Sequence, residues 1–114
     1  MKKYIIHLLL LSVIISCDLT PDCSFLKTLN RQVACVAVVV SKPTHSDTFL
    51  KKGYHPDTGK PCTCKENDRW LRSYHEEMDV GDTIIKRAGD LFFEIHKSDT
   101  VIVHTWTCNG KVYK

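Results

Sequence analysis

The chain has 114 residues, with 16 Lys and Arg against 13 Asp and Glu, six His and six Cys. That length holds one small domain, whose core is thin enough for cross-links to matter. A formal balance of +3 is too small to demand nucleic acid or another polyanion as partner.

The first element is an export signal. Lys2 and Lys3 precede an apolar run from Tyr4 to Ile15, interrupted by His7. The run has the length of a signal-peptide hydrophobic region and is too short to span a bilayer. It ends in Ile14-Ile15-Ser16-Cys17. Two aliphatic residues, a small one and a cysteine resemble the lipobox of bacterial lipoproteins. The resemblance implies that residues 1–16 are removed and that the Cys17 thiol carries diacylglycerol. Cys17 then becomes the acylated N-terminus, a palmitate-type lipid anchor to the membrane of the cell envelope. Each buried methylene contributes about 0.8 kcal/mol, and more than one acyl chain makes attachment durable. Asp18 resembles the inner-membrane retention signal of enteric bacteria, a rule other bacteria do not share, so membrane and leaflet stay open. The competing reading is a plain secreted protein with Cys17 in a disulfide. After cleavage 98 residues remain, with 14 bases against 13 acids, a balance of +1.

Residues 17–23 form the lipidated end and a short tether containing Pro21, and residues 24–114 form a single domain. Ser24 to Gln32 reads as a short helix, with Asp22 or Ser24 as its cap and Phe25, Leu26 and Leu29 on one face. Val33 to Ser41 is the clearest strand, β-branched and apolar on both faces, hence central and buried on both sides. Thr44 to Glu66 is rich in Pro and Gly and reads as irregular, with a short strand near Asp47 to Lys51. Lys51-Lys52 reads as solvated loop. Asn67 or Asp68 caps a helix from Arg69 to Met78, whose Trp70, Leu71, Tyr74 and Met78 share a core-facing side.

A meander follows. Asp82 to Arg87 is a strand, Ala88-Gly89-Asp90 a turn, and Leu91 to His96 a strand with Leu91, Phe93 and Ile95 alternating. After Lys97-Ser98-Asp99, Thr100 to Thr107 returns. Asn109-Gly110 is a hairpin turn, because type I′ needs positive φ at both centres. Lys111 to Tyr113 is the last strand. The fold class is therefore α+β, mainly β: a small antiparallel sheet, or a partly open barrel of the OB or SH3 kind, with one or two short helices.

Tyr74 to Lys97 contains Val80-Gly81-Asp82-Thr83-Ile84-Ile85-Lys86. With the early strand from Val36 to Lys42 it resembles small uncharacterised envelope lipoproteins of Bacteroidetes type, which pair a lipobox with a Gly-Asp-Ser-Ile-Ile-Lys-like segment. The resemblance covers the chain from Val33 onward but not the insert around Cys62-Thr63-Cys64. It brings no activity, cofactor or site residue. Physically, Gly81 ends the helical segment and Asp82 bonds to nearby amides.

Export brings the cysteines into an oxidising compartment. With Cys17 lipidated, Cys23, Cys35, Cys62, Cys64 and Cys108 remain. Five is odd, so at most two bridges form and one thiol is left, in any of fifteen arrangements. The sharpest local feature is Cys62-Thr63-Cys64. With His55 and His75 it offers a ligand set for zinc or copper(I), against disulfides from this loop to Cys23, Cys35 or Cys108. The spacing is not that of common zinc sites. His55-Pro56-Asp57 and His75-Glu76-Glu77 collect acid/base groups, but no nucleophile elbow or zinc-protease helix accompanies them. His96 and His104 fall on strands as polar-face residues. The expectation is a non-catalytic interaction module of inhibitor, immunity or accessory type, with no cofactor, no nucleic acid and an envelope protein partner. The alternative is a metal- or thiol-active envelope protein using Cys62 and Cys64.

Overall fold

The computed structural model describes residues 22–114. The signal, Cys17 and most of the tether lie outside the described residues. In chain order the elements are α1 (Cys23–Gln32), β1 (Cys35–Val39), β2 (Leu50–Tyr54), β3 (Pro61–Cys64), α2 (Leu71–Glu77, a 3₁₀ helix), β4 (Thr83–Lys86), β5 (Phe92–His96), β6 (Val101–Thr105), β7 (Thr107–Cys108) and β8 (Lys111–Val112).

Six strands form one antiparallel sheet in the order β3-β2-β1-β4-β5-β6, and β7 pairs with β8 separately. Two meanders, β1-β2-β3 and β4-β5-β6, meet where β1 lies against β4. The chain crosses between them through α2. The sheet stays open, so of the two expected architectures the simple antiparallel sheet holds and the barrel does not close.

Local chemistry explains most elements. The Asp22 carboxylate accepts the N–H groups of Ser24 (3.1 Å) and Phe25 (3.2 Å), satisfying two donors that a helix start leaves unpaired. Gly81 takes φ +92°, and Asp82 Oδ2 accepts the Asp79 N–H at 2.8 Å. Asn109 and Gly110 both have positive φ, at 52° and 74°, as a type I′ turn requires.

One side of the sheet carries the core. Cys35, Ala37 and Val39 of β1, Ile84 of β4, and Phe93 and Ile95 of β5 are fully or almost fully buried. Leu71 and Met78 of the α2 region close over them, and Trp70 meets Phe93 edge to face at 5.2 Å between centroids. Leu26 and Cys23 of α1 pack against the same cluster.

Four expectations need correction. First, β1 is central but not buried on both faces: Val36 and Val38 are half-buried and Val40 is exposed. Helices cover one side only, and a uniformly apolar strand looks the same whether its second face is covered or bare.

Second, Thr44 to Glu66 contains a regular hairpin. Pro56 and Gly59 sit in the β2–β3 turn, where His55 N–H donates to Lys60 O at 2.9 Å; Gly53 lies within β2, and Pro61 opens the edge strand β3. A register shift between Leu50 and Gly53 sets Lys51 and Lys52 against Thr63 alone. Both lysines therefore face solvent from a strand, and the alternation that would have betrayed β2 is lost.

Third, α2 is a 3₁₀ segment shorter than the expected helix, and its cap is neither Asn67 nor Asp68. Glu66 does this work, accepting the N–H groups of Leu71 (2.9 Å) and Arg72 (2.7 Å). Asp68 instead accepts from Asn30 of α1 at 2.8 Å.

Fourth, the expected strand from Thr100 to Thr107 is broken. Trp106 turns into the core, donating its N–H to Leu91 O at 2.8 Å, and the chain restarts as β7.

Two disulfides staple the fold: Cys23–Cys108 ties α1 to β7, and Cys35–Cys64 ties β1 to β3. They span 85 and 29 residues. On the chain-entropy argument such closures contribute about 4.5 and about 3.5 kcal/mol.

Candidate interaction surface

The pleat sends alternate side chains of each strand to the side away from the helices. Register shows which of them meet. Val36 lies opposite Ile85, Val38 opposite both Thr83 and Tyr54, and Glu94 opposite Val103. Tyr54, Phe92, Val101 and Val103 are each at least 40 % exposed. The result is a sheet face built mostly of β-branched and aromatic side chains, left bare across its breadth. Its polar residues are few. Glu94 Oε2 stands 3.4 Å from His96 Nε2.

The face runs at one end into an open groove of about 620 Å³, lined by Val40, Lys51, Lys52, Tyr54, Pro61 and Cys62 among others. The bulge in β2 brings the two lysines there side by side. Gly53 also lines it; a Cβ at that position would lie 2.9 Å from the Val38 carbonyl oxygen, against the core side chains of Leu50 and Ala37. The groove is thus basic at its rim and apolar within.

The residues singled out as metal or thiol candidates do not come together. Cys64 is bonded to Cys35 and offers no thiolate in that state. Among the described cysteines Cys62 alone keeps its thiol, and burial pushes its pKa above the ordinary value. Less thiolate means a weaker nucleophile and a weaker ligand. His55 Nδ1 accepts the Asp57 N–H at 3.1 Å in the β2–β3 turn. His75 faces His45, ring centroids 5.6 Å apart. Among the described residues no group of three or more His, Cys, Asp or Glu is placed to hold a metal ion.

Across known protein families, curated proteins and solved structures, the chain finds no match.

Several polar arrangements were not legible in the sequence. His104 stacks on Tyr74 at 3.7 Å, and its Nε2 lies 2.6 Å from Glu77 Oε2, which pins α2 to β6. Lys97 bonds Asp82 at 2.5 Å and Asp79 at 3.0 Å, while Lys42 bonds Asp79 from the other side at 3.0 Å. The two lysines, Lys97 foremost, hold the Asp79 carboxyl below the usual carboxylate range.

Lys86 is wholly buried, and burial draws its pKa down to about 8. A lysine so tuned suits nucleophilic chemistry. Here its ammonium is spent on the carbonyls of Val33 (2.8 Å) and Arg87 (2.7 Å), and it touches no solvent. Apart from the Lys86–Arg87 contact, no sequence signal marks these pairs, because they join elements distant along the chain.

Proposed function

We propose that the chain is a membrane-anchored lipoprotein of the bacterial cell envelope whose domain is a non-catalytic interaction module of inhibitor, immunity or accessory type. The observation that carries the reading is the bare apolar face from Tyr54 through Val38 and Ile85 to Val103. Contiguous apolar surface of this kind marks contact with another macromolecule. The lipobox-like Ile14-Ile15-Ser16-Cys17 supports the anchor, and the two disulfides suit an oxidising compartment. Among the described residues no helix is long and apolar enough to cross a membrane.

The occupant in this reading is an envelope protein with an apolar patch and an acidic margin set against Lys51 and Lys52. Six strands at about 4.8 Å spacing and five residues deep give a face on the order of 400 Å², roughly half of what a standard interface buries per partner. The partner therefore extends into the adjoining groove. The alternative, a metal- or thiol-active protein using Cys62 and Cys64, loses one of its two thiolates to the bond with Cys35.

The test is a photo-activated cross-linker placed at position 103 or 54 in cells, with position 99 as control. The same adduct is expected from both face positions and not from the control, and it disappears on Val101→Glu. Absence of a face-specific adduct, or a hydrolytic or redox turnover of the mature protein abolished by one substitution, overturns the reading.

A further inference from the structure

We propose that the tether end of the domain is a membrane-facing patch that seats on anionic lipid headgroups. The inference rests on the lipid-anchor reading of Cys17. Residues 18–21 alone separate Cys17 from Asp22, the cap of α1. At about 3.5 Å per residue, that chain reaches at most about 18 Å. The start of α1 is thus held close to the headgroups, whichever way the domain turns.

The Cys23–Cys108 bond decides which surface accompanies it. It fixes the β7–β8 hairpin beside the first turn of α1, with the Asn109-Gly110 turn next to the bond. Tyr113 follows the hairpin and packs on Trp106, ring centroids 4.9 Å apart. Cations gather around it. Lys27 Nζ lies 5.8 Å from the Tyr113 ring centre and Lys111 Nζ 5.3 Å. Arg31 donates to the Lys114 backbone oxygen at 3.1 Å, so Arg31 and Lys114 are the third and fourth basic residues at the same end.

Asp22 and Asp90 border these four cations. Set against them, the folded patch carries a formal +2, and Asp18 of the tether brings that end to +1. Four basic side chains are thus gathered at the end the anchor holds near lipid. Basic residues within a Debye length of an anionic leaflet are drawn to it. Phe25 in the first turn of α1 and Val112 of β8 are 59 % and 50 % exposed and supply apolar contact. The several acyl chains on Cys17 already make attachment durable in this reading, so the basic patch sets which side of the domain faces the leaflet. α1 and the β7–β8 hairpin lie on the covered side of the sheet, so this seating leaves the bare face open to a protein.

The experiment uses the mature acylated protein in vesicles of phosphatidylcholine and in vesicles of phosphatidylglycerol. A water-soluble amine-acylating reagent is applied and each lysine is quantified by peptide mass mapping. Labelling of Lys27, Lys111 and Lys114 is expected to fall about fivefold on phosphatidylglycerol and to recover in high salt, while Lys51 and Lys52 stay constant. The double variant Lys27→Glu, Lys111→Glu, checked for two intact disulfides, is expected to lose the protection of Lys114. The same digest reads the acyl mass on Cys17. Its absence overturns the anchor and the patch with it. Acylated protein with equal lysine labelling on both vesicles overturns the patch and leaves the anchor standing.

Discussion

The Lys86 ammonium donates to the carbonyl oxygen of Val33 at 2.8 Å, joining the end of α1 to the centre of the sheet across 53 residues of chain. The bond holds a charge inside the core, where Trp70 lies with its ring centre 6.0 Å away. Folding must therefore desolvate a lysine, and pH tunes that cost. With the folded pKa drawn down to about 8 from 10.5, the unfolded chain binds the extra proton between those values.

Stability is accordingly expected to rise as pH climbs from about 8 to about 10.5, by up to about 3 kcal/mol from this residue. Lys86→Met removes the rise. It relieves a buried charge and strands two carbonyls, at about 1–3 kcal/mol each, so the variant stays near wild type at pH 7 and falls below it at pH 10. Guanidinium titrations of both proteins at the two pH values check this; parallel shifts with pH would refute it.

Glu66 serves as a fork for the first two amides of α2. Glu66→Gln keeps one acceptor and turns an amide N–H toward a backbone donor. A loss of about 1–3 kcal/mol is expected, as for a buried group left unpaired. Hydrogen exchange at Leu71 and Arg72 should quicken while exchange in β5 keeps step with global stability. Unchanged exchange at both amides would exclude the capping role.

Gly53 has no room for a side chain. The added methyl of Gly53→Ala meets the Val38 carbonyl at 2.9 Å and Leu50 Cδ2 at 3.0 Å. The backbone on one side cannot yield cheaply, so destabilisation of about 1–3 kcal/mol is expected. The readout is the denaturation midpoint, with Gly59→Ala as a turn control where positive φ alone opposes the change.

Cysteine counting tests the anchor and the fold together. The mature protein is expected to take one alkyl group without reduction, at Cys62, and five after reduction, with Cys17 blocked by its thioether. Alkylation of Cys62 at neutral pH should run several-fold slower than for an open thiol, since burial disfavours its thiolate. Three disulfides in an unacylated protein would rule out the lipoprotein reading, as would a Cys17→Ser variant that still fractionates with membrane.

Sequence by itself determined the features that need only near neighbours. A cap at Asp22 or Ser24 opens α1, Asn109-Gly110 turns, Leu91, Phe93 and Ile95 alternate into the core, and Gly81 and Asp82 close the approach to β4, because each depends on the conformational or hydrogen-bonding habits of residues a few positions apart. Tertiary structure decided which cysteines pair, that Glu66 rather than Asp68 caps α2, that Lys86 is buried, and that one side of β1 is bare. The chemistry of Val36, Val38 and Val40 is the same whether a helix covers them or not. Only the long-range pairing of two meanders, with both helices on one side, leaves that face open and makes it the surface the proposed function uses.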